Sequence, residues 1–212
     1  MNANLFSLKS LSLAVLLCAA TAARADIDVF TTRASFLAAV AGTGTDTYNE
    51  LAVASFGTSL YRMAGSYSYS AGTGPSSSFY TAGKAGGDVW VSTNNAFDTI
   101  TFSNFSAGVH AMGGNFFASD VNGAFFPNAS VVLSASDGST TRTLTLGSTT
   151  PNTFLGFVSS NPLAFVQLGT GGGYYWPTAN NVILAAVPEP GAYSMLLAGL
   201  LMMGSIVKRR DG

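Results

Sequence analysis

Few side chains in this chain are equipped for chemistry, and nearly all of them are oxygen groups. There is one histidine, His110, and one cysteine, Cys18. One histidine with no cysteine beyond the N-terminal segment cannot assemble a zinc site. A catalytic triad would need His110 beside a nucleophile and a carboxylate, yet no Gly-x-Ser-x-Gly elbow occurs. His110 stands instead in a strand-like run between Val109 and Ala111. The acids Glu50, Asp88, Asp98 and Asp120 leave glycoside hydrolysis open as an alternative, because two carboxylates suffice for it and sequence spacing does not set their separation. Gly169-Thr170-Gly171-Gly172-Gly173 lacks the Lys-Ser/Thr ending of a phosphate loop and reads as an interstrand loop.

Two constellations point to binding. Ser119-Asp120-Val121-Asn122-Gly123 places oxygen side chains at alternate positions ahead of a glycine, as calcium loops do. Asp120 and Asn122 could share a weakly held calcium ion with Asn180 or Asn181, calcium being the one cofactor considered. The other reading is an Asx-rich turn that satisfies its own backbone. Tyr174-Tyr175-Trp176 offers π-faces on which the C–H faces of sugar rings could stack, or else a hydrophobic edge of a sandwich.

The elements that must position these residues lie between two targeting segments. Lys9, the apolar run Leu11 to Ala20, and small residues at Ala23 and Ala25 predict a signal peptide over 1–25, read by signal peptidase, with a mature start at Asp26. At the other end, Gly191 to Val207 carries no charge over 17 residues, about 25 Å of helix against a hydrocarbon core of about 30 Å. Lys208, Arg209 and Arg210 follow directly. A single transmembrane helix over 191–207 would therefore leave its C-terminus in the cytoplasm and everything before Pro188 outside. Pro188 and Pro190 cannot join a helix, so Pro188-Glu189-Pro190 stays extended where a peptidase can bind it. Val187-Pro188-Glu189-Pro190, a short apolar helix and a basic end resemble the PEP-CTERM sorting signal of exopolysaccharide-making Gram-negative bacteria, here over 188–212. The resemblance implies recognition of Pro188, Glu189 and Pro190 by a membrane exosortase. It also implies anchoring in the inner membrane before processing, then a place at the cell surface or in the extracellular matrix.

The intervening residues, 26–187, are enough for one domain with a real core. Eight carboxylates against four cations make this segment acidic, without a basic patch for nucleic acid. Ile27 to Phe30 reads as an edge strand. Thr32 to Val40 reads as one short helix capped by Thr32, with Phe36, Leu37 and Val40 on one face and Gly42 as its stop. Gly65 to Gly87 reads as a polar strand pair or a loop. From Asp88 onward short strands recur: around Val89-Trp90-Val91, Thr99 to Phe102, Val109 to Phe117 with a bulge at Gly113-Gly114, Ala129 to Ala135, Thr140 to Leu146, Phe154 to Val158, Leu163 to Leu168 and Val182 to Ala185. Pro151, Pro162 and Pro177 fall between strands. Such spacing predicts an all-β sandwich or jelly roll, and Asp137-Gly138 marks its clearest hairpin.

The runs Phe97 to Phe102, Met112 to Phe117, Ser136 to Ser139, Phe154 to Val158 and Trp176 to Asn181 are similar to jelly-roll-like domains found ahead of PEP-CTERM signals. That resemblance implies a lectin-like or carbohydrate-binding-module-like sandwich. It also implies acidic residues at the final strand, where this chain has Asn180-Asn181. The expected function is that of a non-catalytic exported protein associated with exopolysaccharide or biofilm, binding carbohydrate weakly. The alternatives are a hydrolase with a carboxylate pair and a purely structural matrix protein.

Overall fold

In the computed structural model, residues 26–75, 77–83 and 87–188 are described. The leader with Ala23 and Ala25 lies outside them, as do Glu189, Pro190, the span 191–207, and Lys208, Arg209 and Arg210. Among the described residues no helix is long and apolar enough to cross a membrane.

The chain forms β1 (Ile27–Phe30), α1 (Arg33–Ala39), β2 (Ala41–Asp46), β3 (Ser59–Ala64), β4 (Tyr67–Gly72), β5 (Phe79–Gly83), β6 (Val89–Thr93), β7 (Ile100–Ser103), β8 (Ala111–Ser119), β9 (Val131–Ser136), β10 (Thr141–Leu146), β11 (Phe154–Ser159), β12 (Phe165–Gly169) and β13 (Trp176–Ala186). Two antiparallel sheets result. One has seven strands in the order β1-β11-β8-β13-β6-β5, with β2 also paired to β13; the other has six, β10-β9-β12-β7-β4-β3. The long β13 makes this possible, since β6 pairs with its residues 178–179 and β2 with its residues 182–186.

Strands that cover the core on one face alternate, as a pleat requires. In β7 and β12 the buried Ile100, Phe102, Val166 and Leu168 interleave with half-buried Thr101, Ser103, Phe165 and Gln167. The core between the sheets is built from such residues, with Tyr69, Phe79, Phe116, Leu133 and Phe157 among its largest members. By contrast β11 is buried at all six positions. Its outward face lies under the helix.

The helix forms as expected at its start, where the Thr32 side chain accepts from the Ser35 amide at 3.2 Å. At seven residues it is too short to be stable alone. It is held by Phe36, which is fully buried against Phe30, Phe154, Val158 and Ile183. A Cβ on Gly156 would sit 2.4 Å from the Phe36 ring, so only glycine leaves room for it. Two expectations are corrected here. Leu37 is 39% exposed, because a two-turn helix seated in one hole needs one anchor. The helix ends with Val40 extended, while Gly42, at φ +59°, already lies in β2. Of the two readings for the stretch after Gly65, the described residues take the strands, β4 and β5, with Gly65 at φ +61° turning β3 into β4.

Two further expectations are corrected in β13. Pro177 lies inside this strand, opposite Ala118. The bulge beside Gly113-Gly114 has its extra residue on β13, where Asn181 and Val182 together oppose Gly114. Asn181 takes φ +51°, a left-handed conformation that asparagine tolerates better than most residues.

A buried polar network ties the sheets together. Asp46 of β2 accepts from Arg62 Nε of β3 at 2.9 Å, from Arg62 Nη2 at 2.6 Å, and from the Tyr69 hydroxyl of β4 at 2.7 Å. Tyr48 and Tyr69 share a 2.8 Å hydroxyl contact, and the Arg62 guanidinium lies 5.3 Å from the Tyr48 ring centroid. Arg62 also pairs with Glu50. Burial and then the Asp46 charge push the Tyr48 hydroxyl well above the ordinary phenol range, and burial with Tyr48 and Asp46 does the same to Tyr69. Burial opposes the charge of Arg62, yet its hydrogen bonds to Asp46 and Glu50 prevail and raise its pKa. The phenols stay neutral and the guanidinium charged. Arg62 is an inward-pointing charge on an edge strand, a device that discourages edge-to-edge pairing.

Candidate functional site

The outward face of the seven-stranded sheet is hollowed beside the β8–β9 loop. Ser92 of β6 and Thr178 of β13 are cross-strand partners, and Ser119 of β8 is opposite Trp176. Thr178 Oγ1 lies 2.8 Å from Ser119 Oγ and 3.3 Å from Ser92 Oγ, while Ser92 donates to the Pro177 carbonyl at 3.0 Å. Ser92 and Ser119 of this cluster line a recess of about 200 Å³, whose walls include Tyr80, Asn94, Asp120 and Trp176, while Thr178 is fully buried behind them. Tyr80 is 36% exposed and Trp176 half-buried. Aromatic rings, convergent hydroxyls and one carboxylate therefore meet over a space below the roughly 300–1,000 Å³ of common small-molecule pockets. It suits a single ring-sized group.

The loop that closes the recess is fixed by its own residues. Asp120 Oδ1 accepts from the amides of Asn122 at 2.8 Å and Ala124 at 2.9 Å, an Asx-type turn. The Asp120 amide donates to the Ala124 carbonyl and the Gly123 amide to the Asp120 carbonyl. Phe125 then packs edge-on against Phe117, as does Trp90, whose Nε1 donates to the Gly123 carbonyl at 2.9 Å.

The residues expected to share a calcium ion are spread along the sheet, with Asp120 offset from Asn180. Ser119, next to Asp120, is opposite Trp176, whereas Asn180 is opposite Asn115, four positions along the strand or about 13 Å. Asn180 donates to Asp88 at 2.9 Å and Asn181 to Asn115 at 3.2 Å. Asn122 lines a neighbouring recess with Asp88 and Trp90. Among the described residues no group of three or more His, Cys, Asp and Glu side chains is placed to hold a metal.

The aromatic triplet also divides. Tyr174 is 91% exposed in the loop, Tyr175 stacks on Phe126 with centroids 5.6 Å apart, and Trp176 alone enters the recess. Tyr80 was not among the residues read from the sequence. Phe79-Tyr80-Thr81 shows no apolar-polar alternation as a sequence, and Tyr80 is turned outward by the pairing of β5 with β6. The four acids considered for hydrolysis have separate partners: Glu50 pairs with Arg62, Asp88 accepts from Asn180, Asp98 accepts from the Gly74 and Thr99 amides, and Asp120 caps its own loop. His110 lies at the opposite end of β8, where its buried Nδ1 has no hydrogen-bond partner among the described residues.

Neither the curated proteins nor the solved structures include a match to this chain. Residues 186–210 match the PEP-CTERM protein-sorting motif, which implies an exported protein that carries a membrane sorting signal for an exosortase.

Proposed function

We propose that the sandwich is a non-catalytic surface or matrix protein associated with exopolysaccharide, and that it holds a sugar ring weakly in the recess between Tyr80 and Trp176. The observation that carries this reading is the meeting of two aromatic rings with the oxygen groups of Ser92, Asn94, Ser119 and Asp120 at one concave place. A pyranose has apolar C–H faces and a polar hydroxyl rim. Ring stacking satisfies the first and the recess oxygens the second. Export supports the reading, since the partner of a sorted surface protein lies outside the cell. The domain's hydroxyl-rich, sparsely charged surface is consistent with a hydrated polysaccharide setting.

The test is retention of residues 26–187 on exopolysaccharide from the producing cells, in calcium and in chelator, with sugar release followed in the same tube. Asp120 is held by its own loop, so retention is expected to be equal in both conditions and weakened in Trp176→Ala and Tyr80→Ala. Loss in chelator would place a calcium ion at Asp120. Release of sugar would replace the reading with a hydrolase, and absence of retention would leave a structural matrix protein.

A further inference from the structure

We infer that the rim where β1 begins and β13 ends is a docking surface for the sorting peptidase, which must read the folded domain together with Pro188. The sorting motif match starts at Ala186, the last residue of β13, and only Val187 separates that strand from Pro188. Ala186 is paired with Ala41, and the Ala185 carbonyl accepts from the His110 amide at 3.0 Å. The residues on the N-terminal side of the tripeptide are therefore locked into the sheet. A peptidase that grips an extended segment around Pro188 meets the sheet end at once.

What it meets is a shaped place. Asp28, Val158, Ala111 and Ala185 form one cross-strand row, so the start of β1 and the end of β13 are three strand spacings, about 14 Å, apart. A cavity of about 420 Å³ fills that interval, lined by Asp26, Asp28, His110, Ser160, Val187 and Pro188 among others. Its lining includes two carboxylates and no Lys or Arg. The two carboxylates outweigh even a new ammonium at Asp26. That charge disfavours an anionic lipid surface and fits a protein partner presenting cationic groups beside its peptide groove.

The experiment follows C-terminal processing of the full chain in its producing cells by pulse-chase. Four chains are compared: the native one, Asp28→Lys, one with Gly-Ser-Gly-Ser inserted between Val187 and Pro188, and one with both changes. Asp28 is exposed, so its reversal leaves the core intact. Charge reversal at a rim acts mainly on association, so Asp28→Lys is expected to slow processing by about threefold or more. In the spacer chain, where the tripeptide is freed from the sheet, the same reversal is expected to change nothing. Processing of Asp28→Lys at the native rate would overturn the inference. Equal slowing with and without the spacer would overturn it too, because it would place the defect in export or folding.

Discussion

The two outward faces of the sandwich use the same kind of residue to different ends. On the six-stranded sheet a row runs Ser59, Gly72, Thr101, Gln167, Ser134 and Thr143 across every strand, without a charge. Its groups satisfy one another: Ser134 and Thr143 oxygens are 2.7 Å apart, and Gln167 Nε2 reaches Thr99 and Thr101 at 3.2 Å. Every residue of this row is half-buried or exposed. On the seven-stranded sheet a comparable set, Ser92, Ser119 and Thr178, is buried because a loop and two aromatic rings rise around it. Hydroxyls alone do not make a site. The difference lies in what covers them, and here helix and loop divide one sheet face between an apolar seat and a polar recess.

The largest expected effect probes the apolar seat. Phe36→Ala empties the hole over Gly156 and should cost about 3–5 kcal/mol in urea unfolding, as buried Phe→Ala changes do. A loss below about 1 kcal/mol would mean that the helix is not part of the sheet's cover. Next in size, Trp176→Ala is expected to weaken retention on exopolysaccharide about tenfold, equivalent to about 1.4 kcal/mol. Tyr80→Ala, at a more exposed position, serves as the variant whose fold is least disturbed.

A smaller effect concerns the hairpin at the edge of the bare sheet. Asp137 accepts from the Thr140 and Ser139 amides, and from the Ser139 and Ser159 hydroxyls, across the turn at Gly138, φ +88°. The Thr140 amide first, with these other donors outweighing the cost of burial, holds its carboxyl well below the usual carboxylate range. Its folded pKa is depressed, so its stabilisation is present above the unfolded carboxylate value of about 3.9 and is lost as pH falls below that. Asp137→Asn should therefore flatten the acid limb of the stability curve below about pH 4, measured by thermal midpoint against pH. An unchanged acid limb would show that the turn contributes nothing there. Smallest of all, Ser59→Lys with Thr143→Lys on the bare face should shift stability by no more than about 0.5 kcal/mol each and leave retention intact. Loss of retention in that pair would reverse the comparison and move sugar binding to the flat face.

The strands legible beforehand were those with clear alternation or a turn signal, such as β7 and the β9–β10 hairpin at Asp137-Gly138. Strand β2, Ala-Gly-Thr-Gly-Thr-Asp, has no apolar alternation at all and is ordered by pairing with β13. Trp176 was legible as an aromatic of interest, and Tyr80 was not, because the two are remote in sequence and meet only through the β5–β6–β13 pairing. The Asp120 loop was readable as either a calcium loop or an Asx turn, since both need the same residues. Which amides its carboxylate faces depends on how the loop folds back onto β8.

By itself the sequence determined what is local: the sorting motif at 186–210, the all-β class, the cap at Thr32 and the turn at Gly138. These depend on residue type, short spacing and backbone stereochemistry, which act over a few residues. Only the tertiary structure decided that Asp46 meets Arg62 and Tyr69 between the sheets, that Phe36 seats over Gly156, and that Ser92, Ser119 and Thr178 converge beneath Trp176. Those contacts join residues up to 120 positions apart, as for Phe36 and Gly156. They are set by strand register and by which side of each sheet is covered, and neither is encoded in any one stretch of chain.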